Sequence, residues 1–310
     1  MPDLHVTLGP LTLANPVLAA AGTYGYGLEL ARRVPLGRLG GLVTKTLTRR
    51  PREGHPPPRL VETPSGMLNA VGLQNMGLDA FVRGTLPDLR ATGATVIVSI
   101  TAESPQELGE MARELDAAEG VAAIELNLSC PNVAHGAAAA DAMGRMVAQD
   151  ATATRAMVAA VRAQTRKPLL AKLTPDVTDL APIAQAAEQA GATALTIGNT
   201  FTGMSLDPVT RRSRLGALTG GLSGPAIRPL ALYRVWYTAR SVRIPVIGLG
   251  GIVRAEDAVE FLLAGASAVA VGTASFADPR APLTVLRGLE RYCARHRLER
   301  LDALRGALAP

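Results

Sequence analysis

Eight short apolar segments recur along the chain, and their number and spacing limit the possible folds more than any other feature. Each is too short for a helix, is rich in aliphatic residues and is bounded by Gly, Pro, Asn or Thr. They are apolar throughout rather than alternating, which is typical of parallel strands buried on both faces. The eight predicted strands are residues 16–22, 40–46, 94–101, 122–129, 168–174, 194–200, 244–251 and 268–274.

Segments with helical periodicity separate most of these strands. Clear examples are residues 105–120, 151–167, 179–192 and 254–266. Several end in Gly-Ala just before the next strand, where Gly can adopt the left-handed conformation that caps a helix. Eight such units predict an α/β fold of the (β/α)8 TIM-barrel type, and 310 residues suit a single domain spanning 1–310. A doubly wound open sheet is the structural alternative.

Residues 47–93, after the second predicted strand, are too many for one strand-to-helix connection. They contain the Pro-rich stretch "REGHPPPRL" and then "SGMLNAVGLQNMG". Long insertions in barrels tend to be functional, because catalysis occurs at the carboxyl ends of the strands. The insertion is therefore predicted to form a lid or hairpin that covers the site.

Charge and cysteine content exclude several classes of protein. The net charge of +6 comes from dispersed Arg residues, and the densest cluster, "RRPR" at 49–52, has no interleaved aromatic residues, so no nucleic-acid partner is expected. Cys130 and Cys293 are the only cysteines, which is consistent with a reducing cytoplasm rather than a disulfide framework. No run of eighteen apolar residues occurs, so we expect a cytoplasmic protein without a membrane segment.

The side chains at the carboxyl ends of parallel barrel strands project into one mouth, so they can be collected into a candidate site. This set contains two lysines, carboxamides and a thiol, but no His and no carboxylate pair. A metal centre and hydrolysis by paired carboxylates are therefore not expected. The set is Lys45, Ser99, Asn127, Cys130, Lys172, Asn199, Gly250, Gly251, Gly272 and Thr273.

Two glycine turns end the seventh and eighth predicted strands, in "GLGGI" and "VGTASF". Barrels commonly bind phosphate at these two positions, because backbone N–H groups can approach an anion where no Cβ intervenes. The turns predict a phosphate site.

Carboxamides and lysines predict a second, flat and anionic ligand. Asn69, Asn127, Asn132 and Asn199 each offer a donor and an acceptor in one plane, which matches the edge of a pyrimidine. Lys45 and Lys172 lie in apolar strands, where an ammonium needs an anion or a polar pocket. A Schiff-base lyase that uses Lys172 remains an alternative at this point.

Four motifs carry a family resemblance: "NLSCPNV", "SGMLNAVGLQNMG", "GNT" and "TGGLSGPAI". Together they resemble the class 1 dihydroorotate dehydrogenases, FMN-dependent barrels of pyrimidine biosynthesis, over residues 13–279. Cysteine in "NLSCPN" is typical of class 1. "LTGGLSGPAIRP" is similar to subclass 1B, whose catalytic subunit pairs in a heterotetramer with an iron–sulfur, FAD-containing subunit that passes electrons to NAD; a homodimer is the alternative assembly.

The resemblance implies oxidation of dihydroorotate to orotate, with a hydride passing from C6 to flavin N5 and the C5 proton to Cys130 as the catalytic base. It implies substrate contacts from Lys45, Asn69, Ala70, Val71, Gly72, Leu73, Asn127, Asn132, Asn199 and Thr200. It implies FMN contacts from Ala21, Lys45, Thr46, Ser99, Asn127, Lys172, Gly198, Gly224, Gly250, Gly251, Gly272 and Thr273.

Two positions depart from the family pattern. Ala21 replaces the Ser of a common "ASG" sequence, so a hydroxyl contact to FMN is lost, and Ser99 stands where a flavin-contacting Asn is common. A related FMN-barrel reductase acting on uracil-type rings and a non-catalytic binding subunit are the remaining alternatives.

Overall fold

A computed structural model describes residues 2–129 and 146–309, and within them eight parallel strands close into a barrel. Each strand pairs with the next in the chain, and the eighth pairs with the first. Every predicted strand overlaps one barrel strand, so the (β/α)8 fold is confirmed and the open sheet is excluded. The strands are β1 (Val17–Ala19), β2 (Gly41–Val43), β3 (Val96–Ile100), β4 (Val121–Asn127), β5 (Leu169–Leu173), β6 (Ala194–Ile197), β7 (Val246–Leu249) and β8 (Ala268–Val271).

Helices surround this barrel, and the four predicted helical segments each contain one. The longer helices are Pro105–Ala117, Ala151–Arg162, Ala181–Gln189, Arg228–Ala239, Ala255–Leu263 and Ala281–Arg295. The shorter α-helices are Leu78–Ala80, Leu86–Ala91 and Ala274–Ala277, and a π-helical segment, Phe81–Thr85, joins the first two. Single 3₁₀ turns occur at Leu36–Arg38, Val147–Gln149, Pro225–Ile227 and Leu301–Leu304.

Local sequence explains where several of these helices begin and end. The hydroxyl of Ser104 accepts a hydrogen bond from the Glu107 amide at 3.2 Å, and the Asp150 carboxylate accepts one from the Ala153 amide at 2.9 Å. Gly191 and Gly265 follow two helices with φ angles of 99° and 109°. The predicted Gly-Ala caps are therefore confirmed at these positions.

A four-stranded antiparallel sheet stands beside the carboxyl ends of the barrel strands. Two of its strands, Leu60–Thr63 and Gly66–Asn69, form a hairpin within the insertion 47–93. The other two, Gly220–Ser223 and Phe201–Gly203, come from the connection after β6, and Gly221 pairs with Asn69. The insertion thus builds a sheet together with a distant part of the chain.

Two smaller hairpins complete the strand set of the described residues. Leu206–Asp207 pairs with Arg212–Ser213, and Val6–Leu8 pairs with Leu11–Leu13. The second hairpin lies at the amino-terminal end of the barrel, where a Cβ on Gly9 would come within 2.9 Å of Thr193, just before β6. The hairpin therefore packs against that end of the barrel. No helix in residues 2–129 and 146–309 is long and apolar enough to cross a membrane.

Candidate functional site

The carboxyl-terminal mouth of the barrel holds a cavity of about 170 Å³, measured as the space open to the centre of a water molecule. A single water needs only about 10–15 Å³ on that measure, so the cavity is large enough for an organic ligand. Sixteen sequence-predicted site residues line it. They are Ala21, Lys45, Thr46, Asn69, Val71, Gly72, Leu73, Asn127, Lys172, Asn199, Thr200, Gly224, Gly250, Gly251, Gly272 and Thr273.

Three further predicted residues lie behind this wall. Ala70 is fully buried with Leu68 and Leu215 in a small apolar cluster. Ser99 is fully buried inside the barrel. Gly198 packs so closely on β7 that a Cβ there would lie 2.1 Å from the Leu249 carbonyl oxygen. The predicted base Cys130 and the predicted ligand Asn132 lie outside the described residues.

Lys45 and Lys172 are the charged residues among the described side chains that line the cavity. Lys172 is only 4% exposed, and no described residue accepts a hydrogen bond from its ammonium group. The Lys45 ammonium lies near Gly22, at the end of β1, where a Cβ would be 3.9 Å from Nζ. Because burying an ammonium without an acceptor is costly, the cavity is suited to an anionic ligand.

Hydrogen bonds within the protein hold the carboxamides of the wall in place. Asn127 Nδ2 donates to Thr46 Oγ1 at 3.1 Å. Asn199 Nδ2 donates to both the carbonyl and the hydroxyl oxygen of Ser129 at 2.8 Å. Asn69 Nδ2 donates to the Gly221 carbonyl at 3.2 Å, across the four-stranded sheet. The amides are thus fixed before any ligand binds.

The glycine turn after β7 requires glycine for conformational reasons. Gly250 and Gly251 have φ angles of 135° and 73°, and a Cβ on Gly251 would come within 2.7 Å of the Arg228 Cβ. Arg228 forms an ion pair with the buried Asp257, which also accepts hydrogen bonds from the Val253 amide at 2.9 Å. The ion pair holds the loop that follows the turn.

Comparison with known proteins assigns this site to a family. The sequence model of the family described as "Dihydroorotate dehydrogenase" matches residues 3–293. The chain belongs to the dihydroorotate dehydrogenase family. Relatives in Trichlorobacter lovleyi, Pelobacter propionicus and Thermodesulfovibrio yellowstonii are 49%, 48% and 45% identical over 307 residues, which cover 99% of this chain and 99% of each relative. Each of the three is named "Dihydroorotate dehydrogenase B (NAD(+)), catalytic subunit".

These relatives confirm the resemblance to subclass 1B. The lyase, uracil-type reductase and binding-subunit alternatives have no comparable support. Within the described residues, no cluster of three or more His, Cys, Asp and Glu side chains is placed to hold a metal ion.

Sequence reasoning missed the apolar part of the cavity wall. The search of the strand ends collected polar and glycine residues, and the apolar site residues Ala21, Ala70, Val71 and Leu73 came only from the family resemblance. The residues beside the Gly250-Gly251 turn were a usable signal. The missed residues are Ala20, Gly22, Thr23, Leu60, Met67, Ser223, Pro225, Ile227, Leu249, Ile252, Val253, Ala274 and Phe276. Most of them are apolar, and their surfaces suit a planar ring system.

Tyr24 connects the loop after β1 to the segment that follows the short helix Ala274–Ala277. It is 1% exposed, and its hydroxyl donates a hydrogen bond to the Pro279 carbonyl. Burial, followed by the charge of Asp278, raises the pKa of Tyr24 to about 12. The phenol therefore stays neutral at physiological pH and acts as a structural tie beside the cavity.

Proposed function

We propose that this chain is the catalytic subunit of an NAD-linked dihydroorotate dehydrogenase, which oxidises dihydroorotate to orotate in pyrimidine biosynthesis with FMN as its cofactor. One observation carries the proposal: two lysines, three fixed carboxamides and two glycine turns line a single cavity in a barrel of this family. Dihydroorotate is an anionic dihydropyrimidine whose ring N–H and C=O groups can pair with carboxamides, and FMN is an anionic phosphate ester.

The residues present fit FMN. Gly224, Gly250, Gly251, Gly272 and Thr273 would hold its phosphate and ribityl chain, since backbone N–H groups can approach an anion there. The Lys172 ammonium would lie beside the flavin ring, since it lacks an acceptor among the described residues. Ala21 and Thr46 would line the same part of the flavin site. Gly198 and Ser99 would act from behind this wall. When bound, FMN supplies the two-electron acceptor for the hydride from C6 of dihydroorotate.

The substrate would be held by the carboxamides and by Lys45. Lys45 would bind the carboxylate of dihydroorotate, while Asn69, Asn127, Asn132, Asn199 and Thr200 would bind the ring edges. Residues 70–73 would lie next to the substrate: Val71, Gly72 and Leu73 line the cavity, and Ala70 is buried behind them. Because the amides are fixed by the protein, they would orient the ring at little entropic cost.

Cys130 would take the proton from C5. Its thiolate is the active form, and free cysteine has a pKa of about 8.5, so a modest lowering by nearby positive charge would suffice near neutral pH. Ser129, the residue before it in the chain, is fully buried and bonded to both Asn127 and Asn199. Hydrogen bonds therefore hold the residue directly before Cys130 in place.

Residues 1–310 would form a single FMN-binding domain, in which the insertion 47–93 acts as a lid. Leu60, Met67 and Asn69 of the four-stranded sheet line the cavity, which supports that role. The three relatives described above are all named "catalytic subunit", so a partner subunit is expected here too. We propose an iron–sulfur, FAD-containing electron-transfer subunit in a heterotetramer; a homodimer in solution without that subunit would contradict this.

Two assays test the function together. Denatured protein should release one FMN per chain, and the native protein should convert dihydroorotate to orotate with an artificial electron acceptor. Dihydrouracil, which has the same ring without the carboxylate, should be turned over poorly because it cannot engage Lys45. Absence of FMN, or equal turnover of the two substrates, would contradict the proposal.

A further inference from the structure

Glu125 is a buried acid inside the barrel with no role in the chemistry described so far. It is 2% exposed and lies two residues before Asn127 on β4, so both side chains face the barrel interior. Its two carboxyl oxygens accept hydrogen bonds from Ser99 Oγ at 3.2 Å and from Thr196 Oγ1 at 3.1 Å. Glu125 also shares a small void of about 10 Å³ with Lys172. The two hydroxyl donors satisfy part of the hydrogen-bonding capacity of this buried carboxyl group.

As a carboxylate, Glu125 can only accept hydrogen bonds, and this fixes the direction of the bonds behind it. The Ser99 hydroxyl has one proton, and that proton is donated to Glu125. Ser99 Oγ and Thr46 Oγ1 are 3.0 Å apart, so the proton between them must come from Thr46. Since that proton is used, the Thr46 oxygen is left to accept from Asn127 Nδ2 at 3.1 Å.

The same reasoning continues to the second carboxamide. With Nδ2 directed at Thr46, Asn127 Oδ1 accepts from the Ser129 amide at 3.4 Å and from the Ser129 hydroxyl at 3.3 Å. The Ser129 hydroxyl proton is then used, so its oxygen accepts from Asn199 Nδ2 at 2.8 Å. Asn199 Oδ1 accepts from the Thr200 amide at 2.9 Å. One chain of bonds thus links Glu125 to both amides. The Asn199 amide is also held independently, because its Nδ2 donates to the Ser129 carbonyl at 2.8 Å, so the Asn127 amide is the one whose direction depends on Glu125.

We propose that Glu125 is a positioning residue that fixes which end of the Asn127 carboxamide faces the substrate. In this arrangement Asn127 offers its second N–H to the cavity, and Asn199 offers the remaining lone pair of its Oδ1. The inference rests on the proposed function, because it assumes a pyrimidine whose donors and acceptors must match this pattern. The 3.3–3.4 Å bonds to Ser129 are long, so they resist reversal of the Asn127 amide weakly.

Glu125→Gln is the decisive variant, because it keeps the side-chain shape and adds an N–H₂ donor. Its amide can donate to Ser99, which lets the whole chain of bonds reverse and the Asn127 amide turn over. We expect the FMN-loaded variant to bind orotate about tenfold more weakly by calorimetry, the equivalent of one neutral hydrogen bond. Thr196→Val is the matched control: it removes the other hydroxyl on Glu125, outside the chain to Asn127, and should leave orotate affinity unchanged.

A double variant separates this role from a direct effect of the Glu125 charge on Lys172. Ser99→Ala breaks the chain, so Glu125→Gln should cause no further loss of orotate affinity in that background. A full tenfold loss in the Ser99→Ala background would overturn the inference, as would wild-type affinity in Glu125→Gln. Should Glu125→Gln fail to load FMN, the comparison of Ser99→Ala with Thr196→Val decides, and equal affinities overturn the inference. Failure of the wild-type protein to bind orotate would instead overturn the proposed function.

Discussion

Asn127 and Lys172 lie opposite each other in the register of β4 and β5, and both side chains line the same cavity. Asn127 is proposed to contact the substrate and the flavin, and Lys172 is proposed to contact the flavin. Because neighbouring parallel strands hold them, their separation is set by the sheet and not by loops.

Lys172→Met should slow flavin reduction by dihydroorotate roughly 100-fold, since one charged interaction in a buried site is lost. Anaerobic stopped-flow absorbance measures the rate. Lys167→Met is the matched control: Lys167 precedes the same strand at the opposite end of the barrel, and its ammonium donates to the Val121 carbonyl at 2.9 Å. Equal slowing in both variants would show that the Lys172 effect is structural.

Cys130→Ser should reduce turnover at neutral pH at least 100-fold and move the pH optimum upward, because a hydroxyl is a much weaker acid than a thiol. Cys293→Ala is the control. Cys293 is fully buried, and burial raises the pKa of its thiol, so it stays protonated and takes no part in proton transfer. A pH–rate profile unchanged by Cys130→Ser would exclude Cys130 as the base.

Gly251→Ala should weaken FMN binding at least tenfold, since alanine is strained at a φ of 73° and its Cβ would press on Arg228. Fluorescence titration of the apoprotein with FMN measures the affinity. Gly84→Ala serves as the control, because Gly84 is exposed in a helical segment and a Cβ there meets nothing within 4 Å. Wild-type FMN affinity in Gly251→Ala would count against a phosphate site at this turn.

Asp116 predicts a pH-dependent part of the stability. Hydrogen bonds from the Thr165 hydroxyl at 2.5 Å and the Arg166 amide at 2.8 Å lower the pKa of this carboxyl. Its stabilising effect is therefore present above the unfolded value of about 3.9 and is lost as the pH falls through the folded pKa.

Asp116→Asn should reduce the free energy of unfolding by about 1 kcal/mol at pH 7, and by less at pH 3. Urea denaturation at the two pH values measures the difference. The exposed Glu103→Gln variant should show no such dependence on pH. A loss in Asp116→Asn that is equal at pH 3 and pH 7 would contradict the assignment.

The barrel was predictable because its signal is local. Each strand is a short apolar run, and caps such as Ser104 and Gly265 mark the helix boundaries in the sequence itself. The four-stranded sheet was only half predictable. The pairing of Asn69 with Gly221 joins residues 152 positions apart, and no local pattern in residues 201–223 predicts it.

The candidate site shows a similar division. Polar side chains at strand ends, such as Lys45 and Asn199, were identified because all parallel strands end at one mouth. Ser99 was predicted to contact the flavin; it is fully buried, and its side chain bonds Glu125 inside the barrel and Thr46 of the cavity wall. Glu125 itself could have been found, since it lies two residues before Asn127 and so on the same face. It was overlooked because the strand around it is apolar.

Anaerobic titration of the purified, FMN-loaded chain with dihydroorotate tests the central claim most directly. Each equivalent of dihydroorotate should bleach the flavin absorbance of one chain and release one equivalent of orotate, with no added electron acceptor. A flavin that stays oxidised in excess dihydroorotate, or a purified protein that carries no flavin, would contradict the account.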